Sequence, residues 1–348
     1  MVLLAVVFAA TAAIVVAAGT VLARSGDVIA ARTNLGGLWI GSVFLAFATS
    51  LPEITTDIAA VRLAAPDLAA GDLFGSSMAN MLILGIISFA PGGGDLFRKA
   101  TLDHALYASL AIVLTCIAAV TILMHPTTTL LGVGPGSLVL LVGYAIGSRA
   151  AYRSSAIARE AGATVEMSGA GTEAAGTVPA EPPSLRRAVL MFIGASIVVL
   201  VVAPRFAKTA EQIAILTGIG TTFVGTWLVG LATSLPELVT SLAAVRLRAF
   251  DLAVGNLFGS NAINMTVFVL LDAAYGRGPI LGAVSPVHAL TALVAVGLMG
   301  IAVAALVYRA KGRSRLREPA SALIILGYAV GLVLIFLRSA ADGVMAQR

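Results

Sequence analysis

Runs of roughly twenty apolar residues recur along this 348-residue chain, each long enough to cross a bilayer as a helix. In hydrocarbon every backbone N–H and C=O must be satisfied within the protein, so such runs fold as helices. Charged residues make up only 11% of the chain, against about a quarter in soluble domains. The expected fold class is an all-α membrane protein. Ten transmembrane helices are predicted, near 2–23, 36–62, 67–90, 103–124, 128–151, 187–204, 219–246, 251–272, 286–308 and 319–338. The first run has no basic stretch before it, and Arg24 follows it, so it reads as a span and not a removable leader. Tyr152–Ser184 is rich in Ala, Gly, Ser, Glu and Pro without an apolar period, and reads as a flexible loop. Cys116 lies within a span, has no second cysteine to pair with, and reads as a small core residue.

Basic residues set the expected orientation. Of 22 Lys and Arg, 16 fall at the loops after the odd-numbered spans. Cytoplasmic loops carry the excess of positive charge. Both termini are thus expected outside, the 152–185 loop in the cytoplasm, and the chain in the cell (inner) membrane as a multi-pass protein. No basic surface with interleaved aromatics suggests a nucleic-acid partner. The expected partners are the bilayer and small ions, with no obligate protein partner.

The segment "ATSLPE" occurs at Ala48–Glu53 and again at Ala232–Glu237. With a shift of 184 residues, Gly41–Leu82 aligns without a gap on Gly225–Thr266, and 24 of 42 positions are identical. This is an internal duplication. The predicted organisation is a first five-helix repeat at 1–151 (motif helices within 36–90), the 152–185 loop, and a second repeat at 186–348 (motif helices within 219–272). An odd number of spans per half makes the repeats inverted, as in many secondary transporters.

The duplicated residues have a chemistry in common. Pro52 and Pro236 lack an N–H, so they break their helices and free the carbonyls of Ala48 and Ala232. Irregular backbone at membrane depth is tolerated only inside protein or along a wet cavity. Thr49, Ser50, Thr233 and Ser234 add hydroxyls at the breaks, and Glu53 and Glu237 add carboxylates. Ser76 and Asn80 share one helical face, as do Ser260 and Asn264. All these donors are oxygens, which suit hard cations such as Ca²⁺ and Na⁺. No His/Cys set points to zinc or copper, and no cofactor is expected. Asp57, one turn beyond Glu53, and Asp72 are possible extra carboxylates without counterparts, since Ser241 and Asn256 stand at the equivalent positions.

Thr49-Ser50-Leu51-Pro52-Glu53 with Gly75-Ser76 and Asn80, and Thr233-Ser234-Leu235-Pro236-Glu237 with Gly259-Ser260-Asn261 and Asn264, resemble the α-repeats of the cation/calcium exchanger superfamily. The resemblance implies antiport of Ca²⁺ against Na⁺ by alternating access, and no enzymatic activity. It assigns Glu53 and Glu237 as central Ca²⁺ ligands that also serve the counter-ion. It puts Thr49, Thr233, Ser50, Ser234, Ser76 and Ser260 at flanking Na⁺ positions, with Asn80 and Asn264 beside the glutamates. Sodium-driven relatives often carry an Asp at one of the two Asn positions; here both are Asn. That departure keeps a H⁺/Ca²⁺ antiporter as the alternative, because a carboxylate at membrane depth without a cation tends to take up a proton.

Other readings are blander. A serine or threonine taken singly equally suits close helix packing. Asp67 and Asp251 precede spans and are expected to cap them. His104 and His288 begin their spans in register and read as interface residues, and His125 as a solvated loop residue. A non-transporting membrane scaffold remains a remote rival, and it must explain two glutamates buried in lipid-spanning segments. A channel has weak support, since no symmetric pore motif stands out. A hydrolase has less, since no His or Lys base lies within a span beside the serines.

Overall fold

The structure, a computed structural model, describes residues 2–33, 36–94, 96–168, 184–216, 233–308 and 319–345. Its regular secondary structure is helical among these residues, apart from one isolated bridge between Leu130 and Val133. In chain order the helices are α1 (Val2–Arg32), α2 (Gly36–Trp39), a π-helical stretch Ile40–Leu45, α3 (Ala46–Thr49), α4 (Leu51–Arg62), α5 (Pro66–Phe89), α6 (Leu96–Lys99) and α7 (Asp103–Met124). They continue as α8 (Pro135–Ser168), α9 (Leu185–Leu216), α10 (Leu235–Arg246), α11 (Phe250–Tyr275), α12 (Ile280–Ala283), α13 (Val287–Tyr308) and α14 (Pro319–Met345). Seven described helices are long and apolar enough to cross a membrane, or eight if the bent pair Gly37–Thr49 and Leu51–Arg62 is one span.

Burial separates an inner from an outer layer. In α5 and α11, 78% and 83% of the most apolar stretch is buried, against 22% in each of α1 and α9. The two inner helices are thus surrounded by protein, where polar side chains find partners. Leucines and valines such as Val113, Val120, Leu123, Leu326 and Val333 are exposed on the outer helices, where lipid would lie. Helix α1 packs along α9, α7 along α13, and α11 crosses both the π-helical stretch and α5.

Several boundaries differ from the sequence-based expectation. Helix α1 runs nine residues past the expected end at 23. Helix α8 continues to Ser168, although a loop is expected from 152. Residues 152–168 contain Ala, Arg and Glu, which favour helix without apolar burial, so lack of an apolar period does not end the helix there. The remainder of the expected loop, 169–183, and the first part of the expected span 219–246, residues 219–232 with Ala232 among them, lie outside the described residues.

The chain breaks where proline predicts it. Ser50 sits at φ −85°, ψ 0°, between α3 and α4, and the axis bends by 43°. Ser234, its duplicate, has φ −79°, ψ 6° just before α10. Pro52 and Pro236 occupy the first turns of α4 and α10, where a missing N–H costs least. The preceding stretch Ile40–Leu45 is π-helical, a local over-widening that often marks functional sites.

Small residues let the inner helices approach closely. A side chain at Gly41 would come within 2.7 Å of the Leu252 carbonyl oxygen, and one at Gly259 would overlap the Ser42 carbonyl. At the two ends of the bundle, reciprocal polar clamps join the halves. Asp251 accepts from Thr101 N at 2.8 Å and pairs with His104 Nε2 at 2.9 Å; Asp67 accepts from Ser285 N at 2.7 Å and pairs with His288 Nε2 at 3.1 Å. These two clamps are related by the same 184-residue shift. Neither Asp caps its own helix, as expected from sequence; each caps the approach to a helix of the other half. The reason is tertiary: the neighbouring chain end brings its free N–H groups to the carboxylate.

Gly259→Ala is expected to destabilise the protein by roughly 1–3 kcal/mol, because the methyl overpacks against backbone that has no rotamer to yield. Gly194→Ala, where nothing lies within 4 Å, is the control. Thermal unfolding in detergent should separate the two; equal midpoints would refute the close-packing account.

Candidate cation-binding site

The breaks at Ser50 and Ser234 bring the first turns of α4 and α10 to the middle of the inner pair α5 and α11. Here the expected site residues come together. Thr49, Ser50, Glu53, Ser76, Asn80, Thr233, Ser234, Glu237, Ser260 and Asn264 are all buried, none more than 1% exposed. Pro52 is buried beside them.

The contacts repeat across the duplication. Ser50 Oγ lies 3.1 Å from Ser260 Oγ, and Ser76 Oγ lies 3.2 Å from Ser234 Oγ. Thr49 donates to Asn256 Oδ1 at 3.2 Å, and Thr233 to Asp72 Oδ1 at 3.1 Å. Each break of one half therefore leans on the inner helix of the other. Asn80 Nδ2 donates to Asn261 Oδ1 at 2.8 Å, and Asn264 Nδ2 reaches Ser76 Oγ at 3.5 Å. The amide hydrogens are thus turned outward onto neighbours, which leaves the amide oxygens.

Those oxygens have no hydrogen-bond partner. Both carboxyl oxygens of Glu53, Oε2 of Glu237, and Oδ1 of Asn80 and of Asn264 are buried and unpartnered. Glu237 Oε1 accepts from Ser50 Oγ at the long distance of 3.5 Å. Buried polar atoms are nearly always paired, so a set of orphans calls for an explanation. Asp272 supplies the contrast. It is equally buried, yet accepts Gly134 N at 2.8 Å and Ile280 N at 2.6 Å, and it serves as a structural tie. The charged groups acting on Glu53 are Glu237, Asp72 and Asp57, all acids. Among the described residues, no ion pair with Arg or Lys holds Glu53. All the orphaned atoms are electron-pair donors, which is the chemistry of a hard-cation shell. No close group of three His, Cys, Asp or Glu side chains occurs among the described residues, so the ligand set is a mixture of carboxylate, amide and hydroxyl oxygens. A cavity of about 340 Å³ beside Lys99, Arg248 and Asp251 lies at one end of the bundle, away from the glutamates.

Both extra carboxylates fall beside this cage. Asp57 and Asp72 are buried and within hydrogen-bonding reach of each other. At the equivalent place in the other half, Asn256 donates to Thr240 Oγ1 at 3.1 Å and to Ser241 Oγ at 3.0 Å. Thr240, Asn256 and Asn261 are contributors that sequence reasoning did not single out as ligand-positioning groups. The repeat register was the available signal, since Asn256 replaces Asp72 and Thr240 repeats Thr56.

Known proteins resemble this chain in sequence and in fold. The family described as "Sodium/calcium exchanger protein" matches residues 3–151 and 187–337. This chain belongs to the sodium/calcium exchanger family. An uncharacterised membrane protein of Methanocaldococcus jannaschii is 29% identical over 235 residues, 67% of this chain and 69% of the relative. The inner membrane protein YrbG of Escherichia coli is 26% identical over 74% of this chain and 76% of its own length. The sodium/calcium exchanger MaX1 of Methanosarcina acetivorans is 36% identical over 77 residues, 22% of each chain. Structures of the sodium-calcium exchanger NCX_Mj share the fold, with a TM-score of 0.69, 23% identity, and coverage of 96% of this chain and 99% of that one. The family is one of membrane transporters, not enzymes, and the long apolar helices make this member a multi-pass membrane protein.

Removing one unpartnered buried carboxylate should relieve the exchanger when no cation is bound. Glu53→Gln is expected to raise cation-free stability by about 1–3 kcal/mol and to abolish stabilisation by added Ca²⁺. Thermal unfolding in chelator and in Ca²⁺ reads both; Ca²⁺ stabilisation equal to wild type would remove Glu53 from the site.

Proposed function

We propose that this protein is a secondary-active antiporter that exchanges Ca²⁺ for Na⁺ across the cell (inner) membrane by alternating access. One observation carries the reading: two pseudo-equivalent glutamates, Glu53 and Glu237, are buried with orphaned oxygens inside a shell of hydroxyls and amides. Family membership supports the choice of ions.

In this reading ten transmembrane helices form two inverted five-helix repeats, 1–151 and 186–348, joined by the cytoplasmic 152–185 segment, with both termini outside. The reciprocal clamps and the doubled serine contacts support that symmetry. Glu53 and Glu237 are the central Ca²⁺ ligands. Thr49, Ser50, Ser76, Thr233, Ser234 and Ser260 line flanking Na⁺ positions, and Asn80 and Asn264 turn their oxygens toward the centre. Two carboxylates balance one Ca²⁺ or two Na⁺. Loading with either removes the cost of burying net charge, which is several kcal/mol per ion. Only the loaded, neutral cage then passes through a dry occluded state, and this couples the two fluxes. The inverted halves exchange roles as the cage opens to one side and then the other.

Proteoliposomes loaded with Na⁺ and diluted into Na⁺-free Ca²⁺ medium should take up Ca²⁺ at least about tenfold faster than Na⁺-free controls. Glu53→Gln and Glu237→Gln should each abolish the uptake while leaving a monodisperse protein. Uptake driven only by a proton gradient would replace Na⁺ with H⁺ as the coupling ion. Wild-type uptake in either variant would end the site assignment.

A further inference from the structure

The glutamate cage has two ends, and they are chemically unlike. At the end toward Arg246 and Asp251 the side chains are neutral and satisfied. Asn256 accepts from Thr49 at 3.2 Å and donates to Thr240 and Ser241, while Thr240 donates to the Pro236 carbonyl at 2.7 Å. No carboxylate stands in this network, so a cation there meets only neutral oxygens. At the end toward Arg62 and Asp67, Asn256 is replaced by Asp72 and Ser241 by Asp57. Asp72 accepts from Thr233 at 3.1 Å, and Asp57 Oδ2 is buried without a hydrogen-bond partner. Asp57 is 2% and Asp72 6% exposed. The charged group acting on the Asp57 carboxyl is Asp72, another acid. Two carboxyls held together out of water share a proton or take a cation between them.

We propose that Asp57 and Asp72, with the Thr233 hydroxyl, form a carboxylate-bearing monovalent-cation subsite at one end of the glutamate cage, where the opposite end has only neutral side chains. This inference rests on the antiport reading and deepens it. The ligand class follows from number and charge. Two carboxylates and a hydroxyl are too few for Ca²⁺, which takes about 6–8 oxygens, but suit Na⁺. The glutamates alone balance two Na⁺. A further Na⁺ needs further negative charge, and in this chain Asn80 and Asn264 supply none. Asp57 and Asp72, holding one proton between them, supply that single charge about one helical turn from Glu53 and from Ser76, within the same helices that carry the cage. The doubled site is thereby made one-sided. A cation entering from the Arg62 end meets carboxylates first, and one entering from the other end meets a closed amide and hydroxyl network.

The opposite end also supplies the test variants. Asp57→Ser with Asp72→Asn installs the side chains that already pack at the equivalent place, and Asp72→Asn alone is the milder second variant. Purified wild-type and variant chains are reconstituted, and Ca²⁺ uptake is titrated against internal Na⁺ and against external Ca²⁺. The Na⁺ concentration for half-maximal uptake should rise roughly tenfold in the double variant, while that for Ca²⁺ moves less than about threefold. The Hill coefficient for Na⁺ should fall by about one. In detergent, the rise of the unfolding midpoint with added NaCl over choline chloride should shrink in both variants, a readout independent of transport. Unchanged Na⁺ curves in a variant that still exchanges would overturn the inference and leave the antiport reading intact. So would a variant whose Na⁺ curve is unchanged but whose pH profile of uptake moves, since that assigns the pair to a proton. Absence of Na⁺-driven uptake in wild type would instead remove the antiport reading, and this inference with it.

Discussion

Two carboxylates buried at the centre of a membrane protein, with no cationic side chain acting on them among the described residues, are the constraint on which the rest of this structure depends. Neither glutamate is exposed, and most of their oxygens accept no hydrogen bond. Such groups are costly at membrane depth and persist where function requires them. Here the cost is spread over a shell of short polar side chains on the inner helices, and the outer helices isolate that shell from lipid. The division of labour is visible in burial. The inner helices α5 and α11 are enclosed, and α1 and α9 face outward over most of their surface.

The backbone around the cage is arranged for the same purpose. A proline in the first turn of α4 or α10 removes a donor at membrane depth, which an ordinary span would avoid. The break places a hydroxyl pair and a carboxylate on one short arc, Thr49 to Glu53, and the π-helical stretch before it shifts the phase of the helix. Glycines on the facing helix allow contact near van der Waals distance, so Ser42 and Gly259 meet backbone to backbone. Asp272, Asp67 and Asp251 show what carboxylates do in this fold when they are structural: each takes backbone N–H groups from a neighbouring segment. Glu53 takes none.

Much of this was legible in the chain itself. The duplicated ATSLPE and the paired Ser and Asn positions point to the cage, because the 184-residue shift picks out two sets of residues, and each break of one set touches the inner helix of the other. Helix lengths were less legible. Helix α8 runs on to Ser168 through residues with good helix propensity and no apolar face, a case that hydropathy alone ends too early. The caps were misassigned for a related reason. Asp67 and Asp251 stand at helix starts in sequence, but their partners arrive from 218 and 150 residues away. The role of Asn256 was hidden likewise, since Thr49, its donor, belongs to the other half. Local pattern identifies which residues are special; only the packing of one half on the other tells what each special residue meets.

The account stands on the claim that Glu53 and Glu237 together make one cation site. Equilibrium binding of radiolabelled Ca²⁺ to the purified protein in detergent tests it most directly, with Na⁺ as competitor. The account predicts one saturable Ca²⁺ site per chain, displaced by Na⁺ with a steeper than hyperbolic dependence. Either glutamine variant should lose this site. An absence of saturable Ca²⁺ binding in the intact wild-type chain, or binding that both glutamine variants retain, would contradict it.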